Sequence, residues 1–495
     1  MQIKLNHVGL IKDSTIALDG LTVITGKNNS GKTTVGKTLY ALLDAVSNLK
    51  RKARLDRDIY IEKQINTVRN ILNTDIYCDD VFEDEEIASY LSDYPILYAM
   101  LLDNFELEDR QHPEDIAHQL DLELKRIDGV RLIPLQRARV IRRYDEEKQA
   151  YYPVKVPPRP FNELQQEALA VLAQLFEDLG KDPELIQYAR ESVNQTLREE
   201  FSGQIQPVKM PDAMSTIELS EWGENAPVYF HFSIVNNGIV DDGGPIFFGV
   251  PFKRVYMIDD PFILDAPLAK TRLQGHMKKE FETFFNPVRI QSHNRKLRQA
   301  VINAKPVNIF EQMLLNDSLK SIKEQIDNIL PGTFEFSTEG EYYIENGAKI
   351  KISNLATGSK MFSIIKRLLE GGRLDAGTML ILDEPEAHLH PKWQNVFAEI
   401  IVLLVKELKV NVLLTTHSPN FMLALDANMR KHSLNKQTNF YQTDTFEDGF
   451  VQYHCTNDDL GQIYDDFLQY LSEMRMLRDR YLYPYSTEEN KEESE

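Results

Sequence analysis

Residues 21 to 49 read LTVITGKNNSGKTTVGKTLYALLDAVSNL, and no other stretch limits the possible folds of this chain so tightly. An apolar run, Leu21 to Ile24, feeds into Gly26. The loop from Gly26 to Thr34 then fits G-x-x-x-x-G-K-[ST], and a helical pattern follows through about Leu49. Strand, glycine loop and helix in that order form the phosphate-binding P-loop in the context its chemistry needs. Gly26 and Gly31 let the backbone N–H groups of Lys27, Asn28, Asn29 and Ser30 converge on phosphate oxygens, and the helix start adds a favourable dipole end. Lys32 has the reach for the β and γ phosphates. The Thr33 hydroxyl, with Thr34 beside it, suits Mg²⁺. The competing reading is a glycine-rich turn with a solvated lysine.

A second stretch, Thr378 to Gln394, reads TMLILDEPEAHLHPKWQ. Met379 to Leu382 are apolar and are bounded by Gly377 and by Asp383, Glu384 and Pro385, as in a strand buried on both faces. Ligands of an open parallel sheet sit beyond the carboxyl ends of its strands. Asp383 and Glu384 therefore stand at the mouth of a crevice, where two adjacent carboxylates call for a cation or a shared proton. Taken alone, the pair also fits a solvated strand end. Pro391 then opens a helix through about Leu408, and a further buried strand, Val412 to Leu414, ends in TTHSPN. A lone histidine there reads as structural, but its place after the carboxylate-tipped strand and a helix directs His417 to the same crevice.

Composition bounds the rest. The chain has 495 residues, 42% hydrophobic and 27% charged, enough for a sizeable core and for more than one domain. Its formal net charge of −20 repels a polyanion unless basic residues gather in one patch, so nucleic-acid contact is expected only locally. Two cysteines, Cys78 and Cys455, exclude a disulfide scaffold and a cysteine-ligated zinc site. The start, MQIKLNHVGL, lacks a signal-peptide pattern, and no run approaches membrane-spanning length. The expectation is a cytoplasmic protein with no membrane partner.

Along the chain, residues 9–11 (GLI), Thr15 to Leu18 and Leu21 to Ile24 read as short strands. From about 50 to 200 the pattern is helical, with basic clusters at Lys50 to Arg57 and Arg131 to Arg143 around an acidic VFEDEEI at 81–87. Such clusters read as solvated faces or as a local nucleic-acid surface. Pro153 to Pro160 reads as an extended connector, and Asn162 to Gly180 with Pro183 to Phe201 as a helical hairpin. After Gly203, alternation such as VYFHFSIV (Val228 to Val235) predicts antiparallel strands. Lys253 to Asp260 gives an apolar strand ending in carboxylates, either a core strand whose tip lines the crevice or a plain structural one. Helices over 265 to 331, a β-hairpin from Thr333 to Ile352 and a loop-helix from Asn354 to Gly372 follow. In that loop Thr357, Gly358 and Ser359, followed by Lys360, serve as helix caps or as an anion site. Asn457 to Tyr483 reads as one helix, and the final STEENKEESE as disordered.

With the P-loop, NLATGSK, LILDEPEAHLHP and TTHSP in this order, the chain resembles the ABC-type ATPases, in the branch shared by RecF, SMC heads and OLD-family ATPases. The resemblance covers residues 1 to about 50 and 330 to 425. It implies an α/β fold, an ABC-type ATPase head with a mixed sheet, split by a helical and antiparallel-β insertion. The inserted segments are too short for an SMC coiled coil. By the same resemblance ATP and Mg²⁺ are the cofactors, with Lys32 and the loop amides on the phosphates and Thr33 and Asp383 on the metal. Glu384 orients or deprotonates the attacking water, and His417 contacts the γ-phosphate. Glu386 to His390 form a loop crossing a subunit interface, so that His388 and His390 are not metal ligands. Two copies would sandwich ATP head to tail, each with Thr357, Gly358 and Ser359 on the nucleotide of the other. The family's usual serine after the signature leucine is Ala356 here, which points to slow hydrolysis. Asp259 to Pro261 is the candidate for the glutamine-loop position.

The resulting division is an ATPase core at 1–50 and 330–425, a helical insertion at 51–203, antiparallel β and a core strand at 204–262, a helical segment at 263–330, and C-terminal strands, helix and acidic tail at 426–495. OLD nucleases add a Toprim domain after the core, whereas about seventy residues follow His417 and carry no cluster of metal-binding acids. The resemblance therefore extends to stand-alone ATPases of anti-phage systems such as Septu and PARIS, which act with a separate nuclease or toxin. A RecF-like repair ATPase and a non-hydrolysing nucleotide-gated module are the alternatives.

Overall fold

The computed structural model describes residues 1–73, 85–101, 112–128, 131–132, 139–145, 150–181, 184–223, 226–265, 292–304, 317–337, 340–457 and 460–482. Cys78, most of the acidic run at 81–87, much of the helical reading over 265 to 331 and the terminal STEENKEESE lie outside them. The chain divides into two compact units, Met1–Ser47 with Ala189–Glu495, and Asn48–Tyr188.

The first unit begins β1 (Gln2–Val8), β2 (Ile11–Ala17), β3 (Leu21–Thr25) and α1 (Lys32–Val46). The expected strand at 9–11 is displaced: Gly9, at φ +57°, and Leu10 make the turn between β1 and β2, because the apolar positions of β1 alternate with polar ones and hide its run. The second unit holds α2 (Leu49–Asn73), α3 (Glu85–Leu91), α4 (Pro95–Leu101), α5 (Pro113–Arg126), the antiparallel hairpin of β4 (Arg139–Asp145) and β5 (Ala150–Val156), and α6 (Phe161–Leu179). The hairpin was hidden in sequence by its basic run and by Pro153, which sits opposite Arg142 in the ladder. Helical spacing places Ile61, Ile65, Val68 and Leu72 of α2 in one core with Leu120 and Leu124 of α5 and Leu164 and Leu172 of α6. Glu123 accepts the backbone N–H groups of Ile96 and Leu97 at 3.3 and 2.8 Å, satisfying the start of α4. In the Lys50 to Arg57 cluster, Arg57 pairs with Glu114 at 3.3 Å.

Beyond α7 (Leu185–Glu200) come β6 (Ser215–Ser220), β7 (Val228–Val235), β8 (Gly238–Val240), β9 (Arg254–Ile258), α8 (Ser292–Ile302) and α9 (Asp317–Asp327). The expected hairpin at 333–352 is a three-stranded meander, β10 (Thr333–Ser337), β11 (Gly340–Glu345) and β12 (Ala348–Lys351). Then follow α10 (Thr357–Glu370), β13 (Thr378–Asp383), α11 (Pro391–Leu408), β14 (Asn411–Thr416), α12 (Pro419–Lys431), β15 (Thr438–Thr445), β16 (Val451–Cys455) and α13 (Gly461–Leu482).

Eleven strands form one mixed sheet in the order β8-β7-β6-β1-β2-β16-β15-β3-β14-β13-β9. From β15 to β9 neighbouring strands are parallel, and from β2 to β8 they are antiparallel. The fold class is therefore the expected α/β with a mixed sheet. The parallel strands are buried on both faces and feed two cores by alternation. Leu380 and Leu382 of β13 face the core of α10 and α11, while Met379 and Ile381 face that of α1. Tyr256 and Ile258 of β9, and Val412 and Leu414 of β14, join the first core; Met257 and Leu413 join the second. The carboxyl ends of β3, β14, β13 and β9 thus emerge side by side. Among the described residues no helix is long and apolar enough to cross a membrane.

Candidate nucleotide-binding site

The glycine loop runs from the end of β3 to the start of α1. Two of its residues, Asn29 at φ +62° and Gly31 at φ +73°, take left-handed backbone conformations. Gly26 has a different reason to be glycine. A Cβ there would lie 2.0 Å from Thr443 Oγ1 of β15 and 2.9 Å from Ser30 Oγ. Gly36 in α1 brings the helix close to β13, its missing Cβ only 3.0 Å from Ile381 Cγ2. The loop is also held from behind. Tyr453 of β16 donates its hydroxyl to the Ser30 carbonyl at 2.8 Å, and burial raises that phenol's pKa, which keeps it protonated as a donor.

A cleft of about 540 Å³ opens in front of the loop, lined by Leu10, Asn28 to Thr34, Asp383 and Glu384. Lys32, 4% exposed, donates to the Gly26 and Lys27 carbonyls at 3.0 and 2.9 Å and lies 3.4 Å from Glu384 Oε1. Across the cleft Thr33 Oγ1 donates to Asp383 Oδ2 at 2.6 Å, and Thr415 Oγ1 donates to Asp383 Oδ1 at 2.5 Å. Burial raises the Asp383 pKa; the two hydroxyls oppose this, while the charges of Glu384 and Asp259 add to it. A carboxylate so placed is a poor anion by itself and a ready partner for a cation.

Glu384 departs from the strand. Its φ of +48° is unusual for a non-glycine residue and costs on the order of 1–3 kcal/mol. The backbone is fixed by Thr415, whose carbonyl and Oγ1 both accept from Glu384 N–H at 3.1 Å. This twist separates the two acids. Asp383 looks to Thr33, while Glu384 Oε1 lies 3.1 Å from His417 Nδ1. His417 is 43% exposed and meets the cleft through Glu384.

Thr357, Gly358 and Ser359 lie outside the residues lining this cleft. They form the first turn of α10, whose N-cap is Ala356 without a side-chain cap bond, so the expected hydroxyl cap is absent. Thr357 and Ser359 are half-buried, and a Cβ on Gly358 would approach the His388 carbonyl at 3.2 Å and Trp393 at 3.3 Å. Lys360 turns inward, 2.6 Å from Asp265 Oδ1 and donating to the Ser353 carbonyl at 3.0 Å. The same geometry explains the histidines of the DEPEAHLH stretch. His390 Nδ1 accepts from Lys392 N–H at 3.3 Å as the cap of α11, and His388 packs edge-on to Phe262. Glu386 is buried and accepts from Thr416 Oγ1 at 2.5 Å. Thr415, Thr416, Thr443 and Tyr453 are the site residues that sequence reasoning missed. Only the two threonines beside His417 left a signal, a hydroxyl pair at a strand's carboxyl end.

The sheet order, the glycine loop and the Thr33–Asp383 pair together define the class: an α/β fold whose mixed sheet carries a P-loop-type cleft at the carboxyl ends of its parallel strands. A family model described as "AAA domain, putative AbiEii toxin, Type IV TA system" matches residues 255–424. No curated protein matches the chain. Among solved structures it aligns with the SMC head domain from Thermotoga maritima at 10% identity and TM-score 0.28, over 92% of this chain and 97% of that one. An Smc head domain with an extended coiled coil bound to the C-terminal domain of ScpA, from Pyrococcus furiosus, aligns at 10% identity and TM-score 0.26, over 96% and 98%. An SmcHead bound to the C-winged helix domain of ScpA gives 9% identity and TM-score 0.36, over 92% and 97%.

Proposed function

We propose that the protein binds and hydrolyses ATP and uses that cycle as a sensor and scaffold to control a separately encoded effector, a nuclease or toxin, in anti-phage defence. The observation that carries the nucleotide reading is the convergence of Lys32, Thr33, Asp383 and Glu384 on one cleft. A hydroxyl and a carboxylate 2.6 Å apart form a donor set suited to Mg²⁺. Bound there with ATP, the ion supplies neutralisation of phosphate charge. The chain's own groups do the remaining work. The amides from Lys27 to Thr34 and the Lys32 ammonium cradle the phosphates, Lys32 exchanging its loop carbonyls and Glu384 for phosphate oxygens. Glu384, turned aside by its left-handed backbone, orients the attacking water and takes up its proton, and His417 holds Glu384 while facing the γ-phosphate.

Thr357 to Ser359 stand apart from the cleft of their own chain, which supports a head-to-tail dimer in which each signature turn reaches the nucleotide of the second copy. ATP then acts as a reversible bridge. The link to toxin systems draws on the words "putative AbiEii toxin, Type IV TA system" in the description of the matched family model. Phosphate release by the wild type and by Lys32→Ala tests the first half, and equal background rates would refute it. Co-purification from the native host tests the second. Degradation of DNA or RNA by the isolated protein with a divalent metal would sink it. A RecF-like repair role predicts duplex binding with a steep salt slope.

A further inference from the structure

A third acid stands beside the cleft, and a buried histidine aims it. Asp259 follows Ile258, which is in register with Leu382 on the neighbouring parallel strand. Asp259 is therefore level with Asp383, about 5 Å away across the ladder. Its charge reaches Asp383, as one of the groups that raise that carboxyl's pKa alongside burial. Its direction is set from outside the cleft. His293, at the start of α8, is fully buried; its Nε2 lies 3.0 Å from Asp259 Oδ1 and its Nδ1 2.5 Å from Glu200 Oε2. Glu200 also accepts the His293 backbone N–H at 3.1 Å.

A neutral imidazole has one N–H, so its other nitrogen would face a carboxylate lone pair. With a carboxylate at each nitrogen the ring is an imidazolium, hydrogen-bonded through Nδ1 to Glu200 and in ion-pair range of Asp259 through Nε2, and the two acids outweigh burial to raise its pKa to about 9. The ring cannot turn. It packs edge-on against Tyr40 of α1 at 5.7 Å, and Lys296, one turn on, pairs with Asp44 of the same helix. Thus α8 braces the P-loop helix, the end of α7 and the tip of β9 at once. Nothing in ATP turnover as described above uses this buried triad.

We propose that His293, held by Glu200, is a positioning residue that fixes the Asp259 carboxylate beside Asp383, making Asp259 an outer partner of the divalent cation at the nucleotide site. This rests on the nucleotide reading above. A carboxylate held in this way acts on the water shell of the cation rather than displacing Thr33 or Asp383, and such partners change metal affinity roughly tenfold or more.

The test is the affinity of a fluorescent ATP analogue measured with Mg²⁺ and with EDTA, on the full chain, with melting curves to confirm folding. His293→Phe keeps the ring against Tyr40 and removes both donors; His293→Gln restores a donor toward Asp259. His293→Phe and Asp259→Asn should each reduce the Mg²⁺-dependent gain in affinity roughly tenfold while leaving the EDTA value unchanged, and His293→Gln should recover most of the loss. A folded His293→Phe with the full wild-type gain overturns the proposal, as does an equal loss in EDTA. If His293→Phe does not fold, Asp259→Asn decides by the same comparison. Failure of the underlying reading looks different: the wild type binds no nucleotide, or Lys32→Ala binds it equally well, and this inference then falls too.

Discussion

Thr33 and Asp383 are 350 positions apart in the chain and 2.6 Å apart in the fold, the threonine hydroxyl donating to the carboxylate across the cleft. One belongs to the helix after the glycine loop, the other ends β13, two strands along the sheet from β3. Asp383→Asn should leave ATP binding in EDTA near wild type, abolish the Mg²⁺-dependent gain, and lower turnover by about 10²-fold or more. Equilibrium binding and phosphate release read the two effects separately.

Glu384 occupies a strained backbone position that only its site explains. Glu384→Gln preserves shape and removes the base, so turnover should fall about 10²–10⁴-fold while ATP binding persists. The same variant should accumulate an ATP-dependent dimer, seen as a mass doubling by light scattering. An unchanged turnover would remove Glu384 from the chemistry.

Ala356 is an N-cap without a capping side chain. Ala356→Ser supplies one, and should stabilise α10 by about 1 kcal/mol. In the proposed dimer the same hydroxyl faces the nucleotide of the other copy. Turnover should rise along with the melting temperature, whereas a purely local cap would raise only the latter.

Tyr453 reaches the P-loop from the far end of the sequence. Tyr453→Phe leaves the buried Ser30 carbonyl without that donor, at a cost of about 1–3 kcal/mol. The loop loosens, so ATP affinity should fall several-fold in a protein that still melts cooperatively. Gly26→Ala should be harsher, because the added carbon collides with Thr443.

His293 predicts a pH effect on stability. Its pKa, raised from 6.5 to about 9 against Asp259 and Glu200, is higher in the fold than in the unfolded chain. Its contribution is then present in full below about pH 6.5 and is lost as pH rises through about 9. Melting temperature should therefore decline between pH 7 and 9.5, and His293→Gln should flatten that decline. A wild-type curve with the same slope as the variant would assign the loss elsewhere.

Much of this site was legible because its parts are local. Gly26 to Thr34 follows its own strand and opens its own helix, and β13, α11 and β14 follow one another, so periodicity and flanking glycines placed the strand ends beside Asp383, Glu384 and His417 within a residue or two. The antiparallel strands, in the large sheet and in the separate β4–β5 hairpin, were less legible. β1 hides in alternating polar residues, and the β4–β5 hairpin in a basic run broken by proline.

The sequence by itself determined which groups line the glycine-loop cleft and which strands end in acids, because these depend on residue type at short spacing. Tertiary structure alone decided what holds them. Thr443 and Tyr453 come to the loop from β15 and β16, Thr415 orients both acids from β14, and Glu200 and His293 aim Asp259 from two separate helices. Such contacts are made by strand order and helix docking, which bring together residues with no fixed spacing in the chain. For the same reason only the fold showed that Asp383 and Glu384, neighbours in sequence, turn to different partners.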